Sequence, residues 1–320
     1  MRTVLITGAG GFTGARLVEY LRRAGYEVVA GVRNRARKLA YERQNVRALV
    51  CDVTDPIAVA RVVASVRPDA VAHLAGISQP AQAAAEPLEA YQAIVTSCAN
   101  VLDAVRRAVP RAKVVLASAA EVYGVAGEDG RALAETTEPQ PVTTFGSLKL
   151  AAEKIAHTFF RDYHLNVTVA RPFHYTGPGQ TERFFFGAVA RRLACWDYSA
   201  NGHELALPDL DCRRDVLHID DVVAAYERLL LDGRPNETYN ICSGAACTCR
   251  ELVEEMIAAA NLDLRLTDLP AGDQRPRIRA LCGDNTKLRS DLRWEPMRSA
   301  RDAVRDLLAL CKSSVQPVAV

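Results

Sequence analysis

Short apolar runs and longer amphipathic stretches alternate along the first half of this chain. Val4-Leu5-Ile6 is too short and too β-branched for a helix and predicts a strand, and Arg16-Leu17-Val18-Glu19-Tyr20-Leu21 then repeats apolar residues at helical spacing. Further strands are predicted at Tyr26–Val32, Val46–Cys51, Ala70–Gly76, Val114–Ser118 and Asn166–Arg171, with helices over about 56–66, 90–109 and 144–162. This order implies an α/β fold, a doubly wound parallel sheet with ligands at the carboxyl ends of its strands. Beyond Pro178 the pattern loosens to a helix over 217–231, a short strand at Thr238–Cys242 and a helix over 248–261.

Between the first strand and helix lies Thr7-Gly8-Ala9-Gly10-Gly11-Phe12-Thr13-Gly14. A glycine turn in that context is a dinucleotide fingerprint. Gly8 permits the tight turn, Gly11 lets backbone approach a pyrophosphate, and Gly14 lets helix and strand pack closely. The helix N-terminus offers free N–H groups to phosphate. The second strand ends in Val32-Arg33-Asn34-Arg35, with no carboxylate to hold ribose hydroxyls. Arg33 there suits a 2′-phosphate, so NADP(H) is expected over NAD(H). Asp52, after the third strand, is placed to reach the adenine amine. The expected division is a Rossmann domain over 1–170 and a smaller lobe, mainly for substrate, over 171–320, with a crossover back near 214–240.

Composition removes other classes. The 320 residues carry a formal net charge of +2, which gives no electrostatic case for nucleic acid or an anionic membrane. The basic run Arg33–Lys38 reads as a solvated face. The nine cysteines lack metal-ligand spacing, so no metal is expected. The chain enters a strand at once and has no apolar run of membrane length, so a cytoplasmic protein with free thiols is expected.

Several stretches together resemble the extended short-chain dehydrogenase/reductase (NAD-dependent epimerase/dehydratase) family of nucleotide-sugar enzymes. They are Thr7–Gly14, His73-Leu74-Ala75-Gly76, Ser118-Ala119-Ala120-Glu121-Val122-Tyr123-Gly124, Ser147–Glu153, Arg171–Gln180, Arg213–Val222, Tyr239–Gly244, Arg275-Pro276, Gly283-Asp284 and Trp294-Glu295-Pro296. The segment Arg171-Pro172-Phe173-His174-Tyr175-Thr176-Gly177-Pro178-Gly179-Gln180 is most similar to the GDP-mannose branch, its GDP-4-keto-6-deoxy-mannose reductases first and its 4,6-dehydratases second. The resemblance implies an oxidoreductase built on a Tyr-x-x-x-Lys pair plus a Ser or Thr, and a homodimer through a four-helix interface. It also implies cofactor contacts from Val53, Leu74, Ala75, Gly76, Lys149 and Pro172. Substrate contacts are implied at Ser78, Glu121, His174, Tyr175, Arg214 and Arg275, the two arginines at a pyrophosphate. Lys149 fits the lysine place.

Three positions depart from that pattern. Residue 145 is Phe, which neither donates nor accepts a proton, Ala119 stands at the Ser/Thr place, and His174 replaces an asparagine. Glu121, His174, Tyr123 and Tyr175 are the candidates to carry a relocated acid/base. Glu121 occupies the place where dehydratases and some epimerases keep a base. The readings are therefore 4-keto reduction of a GDP-hexose, epimerase or dehydratase chemistry with recycled cofactor, and a catalytically impaired or engineered binding protein. Tyr123 also reads as packing, His73 as a core contact, and His218, Asp220 and Asp221 as helix-start groups.

Overall fold

The computed structural model describes residues 2–269 and 278–314. Thirteen strands are present among them: β1 (Thr3–Thr7), β2 (Glu27–Val32), β3 (Arg47–Val50), β4 (Ala70–His73), β5 (Lys113–Ala117), β6 (Val167–Pro172), β7 (His174–Thr176), β8 (Glu204–Leu207), β9 (Arg213–His218), β10 (Thr238–Ile241), β11 (Ala246–Thr248), β12 (Arg265–Asp268) and β13 (Ala280–Leu281). Seven make one sheet in the order β10-β6-β5-β4-β1-β2-β3, and every pairing in it is parallel. This is the doubly wound Rossmann-like α/β sheet.

Side chains alternate across a strand, and β1 separates two cores by that rule. Val4 and Ile6 face one side with Leu17, Val18 and Leu21 of helix Phe12–Arg23 and with Val222, Val223 and Leu229 of helix Ile219–Asp232. Leu5 faces the other, with Val59, Val62 and Val63 of helix Pro56–Val66 and with Val101, Leu102 and Val105 of helix Ser97–Ala108. Helix Thr144–Tyr163 completes that second layer with Phe145, Ala152 and Ala156. It starts where the Thr143 side chain accepts from the Gly146 N–H.

Past β6 the chain leaves this sheet. A second sheet pairs β9 with β7, β11 and β13, and β8 pairs with β12. Helices Phe185–Ala194, Cys249–Ala260 and Ala300–Ser314 enclose a separate apolar cluster with Leu205, Leu207 and Val216. Between these pieces, helix Ile219–Asp232 and strand β10 return to the Rossmann side. Arg16 on the first helix holds Asp220 at 2.6 Å. Asp220 and Asp221 occupy that helix's first turn, and the His218 side chain caps it by accepting from the Asp220 N–H.

Local differences from the sequence pattern have local causes. The first helix begins at Phe12, immediately after the glycine turn, four residues before its first long apolar stripe becomes visible. The basic run read as a solvated face is the start of a helix, Arg35–Glu42, capped by Asn34 accepting from the Arg37 N–H. The span expected as one helix near 90–109 runs from the end of Pro87–Tyr91 through a π-helical turn Gln92–Thr96 into Ser97–Ala108, and a short helix Pro80–Ala85 that was not expected precedes it. Among the described residues no helix is long and apolar enough to cross a membrane.

Candidate active site

The glycine turn is built by exclusion. Gly8 has φ +72, and a Cβ on it would lie 2.6 Å from the Ala75 nitrogen; a Cβ on Gly14 would lie 2.3 Å from the Gly8 carbonyl oxygen. Only hydrogen fits at either place. The Gly11 N–H donates back to the Gly8 carbonyl at 3.0 Å, and Tyr41 pins the turn by donating to the Ala9 carbonyl at 2.6 Å. The first-turn N–H groups of helix Phe12–Arg23, at Phe12, Thr13 and Gly14, open at the sheet's carboxyl edge, where a pyrophosphate would lie. The cradle that a Cβ would fill therefore fits a dinucleotide.

Around this turn the other expected cofactor residues converge. Leu74, Ala75 and Gly76 follow β4, where Leu74 and Ala75 are half-buried and the Leu74 N–H bonds the Thr7 carbonyl at 3.2 Å. Arg33, exposed at the end of β2, stands within electrostatic reach of Asp52. Asp52 accepts from the Thr54 N–H and hydroxyl, and these bonds hold its carboxyl below the ordinary range. The Val53 carbonyl is fixed by Asn100, which donates to it at 3.0 Å. Pro172 is buried at the end of β6. Two residues here carry no motif: Asn100, and Arg37, whose side chain a Cβ on Gly10 would meet at 3.5 Å. Arg37 is the third residue of helix Arg35–Glu42, and the Asn34 cap that starts this helix inside the basic run is the signal that would have found it.

Across the cleft, Lys149 lies buried with its ammonium 5.7 Å from the Phe145 ring centre, and it donates to the Ala117 carbonyl at 2.7 Å. Burial pushes its pKa down to about 8, while Cys98, Glu121 and Glu153 pull the other way. Phe145 and Ala119, both buried, belong to the same apolar cluster. Glu121 follows Ala119 on a 3₁₀ segment, Ala120–Gly127. Burial raises its pKa, against the opposing pull of Arg214 and Lys149.

Strand β7 brings His174 and Tyr175 to this cluster. Burial, with the Arg214 charge added, holds His174 at a pKa of about 3, and its buried Nδ1 has no hydrogen-bond partner among the described residues. The Tyr175 hydroxyl shares a 2.8 Å hydrogen bond with Thr13, and its ring stacks on Phe12 at 6.1 Å. Burial raises the Tyr175 pKa, and Glu121 adds to the rise. Arg214 is aimed by carbonyls: it donates to Ile278 at 2.6 Å, to Arg213 at 2.9 Å and to Arg279 at 3.1 Å. Asp215 beside it accepts from the N–H groups of Ser243 and Gly244 and from the Ser243 hydroxyl, fixing β9 against the loop before β11.

Two expected site residues, Tyr123 and Ser78, stand apart from this group. Tyr123 is fully buried; its hydroxyl donates to Asn240 at 2.7 Å and accepts from Arg171 at 2.9 Å. Arg171 in turn holds Glu153 through two bonds, and Ser118 donates to the same carboxylate. That network draws its members from four of the quoted family stretches, and it engages the Tyr123 hydroxyl in buried packing contacts. Ser78 is exposed, beside Gln79, which reaches the Arg183 carbonyl at 2.6 Å. Arg275 lies outside the described residues. His73 is a core group: it bonds Thr7 at 2.7 Å, and burial holds its pKa at about 3.

A Rossmann sheet, a glycine cradle and a buried lysine beside a second lobe define a dinucleotide-binding enzyme class. The family model described as NAD dependent epimerase/dehydratase family matches residues 4–242, and this chain belongs to that family. Members of it are NAD(P)-dependent nucleotide-sugar reductases, epimerases and dehydratases. Among its relatives, GDP-6-deoxy-D-mannose reductase of Pseudomonas aeruginosa is 31% identical over 78% of this chain and 82% of its own. The dTDP-6-deoxy-L-talose 4-dehydrogenase (NAD(P)(+)) of Kitasatospora kifunensis is 28% identical over 99% and 97%. The solved structure of RMD from Pseudomonas aeruginosa complexed with NADPH superposes with a TM-score of 0.86 at 28% identity, covering 98% of this chain and 100% of that one.

Proposed function

We propose that this chain reduces the 4-keto group of a GDP-linked 6-deoxyhexose with NADPH, and that Glu121 supplies the proton usually given by a tyrosine. The observation that carries this reading is the setting of Glu121. Its carboxyl has a raised pKa, stands within electrostatic reach of Lys149, Arg214 and Tyr175, and adjoins a site whose residue 145 has no hydroxyl. Raising a carboxyl's pKa by burial moves it toward the range in which it can serve as a proton donor.

Gly8, Gly14 and the first-turn N–H groups would hold the cofactor pyrophosphate, Lys149 its nicotinamide ribose, and Arg33 with Arg37 its 2′-phosphate. When bound, the reduced nicotinamide supplies hydride. Glu121 gives its proton to the ketone oxygen as that oxygen gains charge, and Lys149 and Arg214 stabilise the carboxylate left behind. His174, neutral above about pH 3, offers Nδ1 to a sugar hydroxyl. Arg214, with Arg275, serves the diphosphate. The likeness to a GDP-6-deoxy-D-mannose reductase and to a structure complexed with NADPH supports the sugar and the cofactor. A homodimer is part of the proposal, supported by exposed Leu88, Tyr91 and Tyr163 on or beside the long helix.

Two observations favour other readings. Arg214 and Lys149 oppose protonation of Glu121, which suits a base in epimerase or dehydratase chemistry with recycled cofactor. The close packing of Phe145 and Ala119 suits binding without turnover. The deciding experiment follows the reduced-nicotinamide absorbance with purified protein, NADPH and a GDP-4-keto-6-deoxyhexose. Loss of the band with a reduced sugar by mass is expected, and Glu121→Gln slows it by about 10²-fold or more. Solvent deuterium entering the ring without net NADPH loss would establish the second reading instead. Turnover seen only after Phe145→Tyr with Ala119→Ser would overturn the proposal in favour of the third.

A further inference from the structure

All nine cysteines are free thiols, and two of them, Cys212 and Cys249, are joined by a backbone hydrogen bond. In the antiparallel pairing of β9 with β11, Cys247 stands opposite Arg214 and Thr248 opposite Arg213. One residue past the end of that ladder, the Cys249 N–H donates to the Cys212 carbonyl at 3.0 Å, while the Cys212 N–H turns to the Asp209 carbonyl at 3.2 Å. That single backbone bond keeps the two chains close enough for the roughly 4.4–6.8 Å Cα separation that a disulfide spans. Both side chains pack on one apolar cluster, the one under helices Phe185–Ala194 and Cys249–Ala260. Cys212 is half-buried and open to a small reagent, while Cys249 is buried beneath it. Cys247 sits two residues along β11, opposite an arginine rather than a thiol.

We propose that Cys212 and Cys249 form a redox modification site that closes reversibly to an intramolecular disulfide, in exchange with an organic disulfide of the oxidised-glutathione type. Cys212 loses its proton and its sulfur attacks one sulfur of the reagent, giving a mixed disulfide and one released thiol. Cys249 then loses its proton and attacks the Cys212 sulfur, releasing the second thiol. Two protein thiols are oxidised and the reagent disulfide is reduced to two thiols, so electrons and protons balance. Burial pushes the Cys249 thiol up to about 11, which makes Cys212 the entry point and the second step the slow one. The bond ties the entry of β9, two residues before Arg214, to the first turn of helix Cys249–Ala260.

The test incubates the full chain with oxidised glutathione and maps peptides by mass spectrometry with and without dithiothreitol. Expected is a Cys212–Cys249 cross-linked peptide lighter by two hydrogens than its parts, lost on reduction. It is expected with a thermal midpoint raised by roughly 5 °C, since the bond closes a long loop. Cys212→Ala, checked for native circular dichroism, loses the cross-link, and Cys195→Ser keeps it. Glutathione remaining on Cys212, a cross-link to Cys247 instead, no reaction at all, or a cross-link that lowers the midpoint would each overturn the proposal.

Discussion

The cofactor wall of the cleft and the wall facing it are held together in opposite ways. On the first, glycine carbons and carbonyls meet so closely that Gly8 and Gly14 leave no room for a methyl group, and Tyr41 and Asn100 tie the flanking turns by direct hydrogen bonds. On the second, polar groups are buried with less support. His174 Nδ1 lacks a partner among the described residues, Glu121 is raised and Lys149 lowered by desolvation, and Phe145 fills the place of a phenol with an apolar ring. A binding wall tolerates no change of shape. A reacting wall keeps buried polar groups poised, at a cost in stability that a bound ligand offsets.

The sharpest way to test that contrast is to remove the one charge that belongs to both walls. Lys149→Ala is expected to lower kcat/KM by about 10³-fold, because it removes the proposed cofactor ribose contact and a charge that acts on Glu121 together. Steady-state kinetics with NADPH measures it, and unchanged far-UV circular dichroism shows that the fold survived. Turnover near the parent value would separate this chain from the family's chemistry.

Smaller, and tied to the same group, is the pH dependence. The Lys149 pKa of about 8 means an ammonium below that pH and a neutral amine above it. The reductive rate is therefore expected to fall by about tenfold per unit as pH rises beyond about 8. A kcat/KM profile flat to pH 10 would show that the charge is not used. On the binding wall, Arg37→Ala is expected to raise the KM for NADPH by about tenfold, the worth of one charge-assisted contact. The KM for NADH should stay within about twofold. Equal losses with both cofactors would mean that Arg37 supports the turn beside Gly10 and does not read the phosphate.

The contrast also explains which parts of this molecule were legible in its residues. Backbone demands leave few solutions, so Gly8, Gly11 and Gly14 between a β-branched run and an amphipathic helix announce themselves, as does the parallel sheet built from the same alternation. Arg37 was hidden because a helix of four charged residues in eight looks like a solvated surface until its cap, Asn34, sets its direction. The network of Ser118, Glu153, Arg171, Tyr123 and Asn240 joins four separate stretches of the chain through β5, β6 and β10. Pairing of that kind is a property of sheet order, and no local pattern encodes it. The same holds for Cys212 and Cys249, whose proximity depends on the β9–β11 register.

Tyr123 gives the smallest effect on turnover and the cleanest separation of structure from chemistry. Its hydroxyl joins the side chains of Arg171 and Asn240, which are also register partners in the β6–β10 ladder. In Tyr123→Phe, Arg171 loses an acceptor and Asn240 loses a donor in the interior, which costs about 1–3 kcal/mol in stability. Desolvation pushes the phenol up to about 12, so it holds its proton throughout the physiological range and has no acid–base work to lose. Urea unfolding should therefore show a lower midpoint at unchanged slope, while kcat stays within about twofold. The opposite pattern, full stability with turnover lost by about 10²-fold or more, would move Tyr123 from buried packing to the proton path. It would also take from Glu121 the role that its buried carboxyl now best explains.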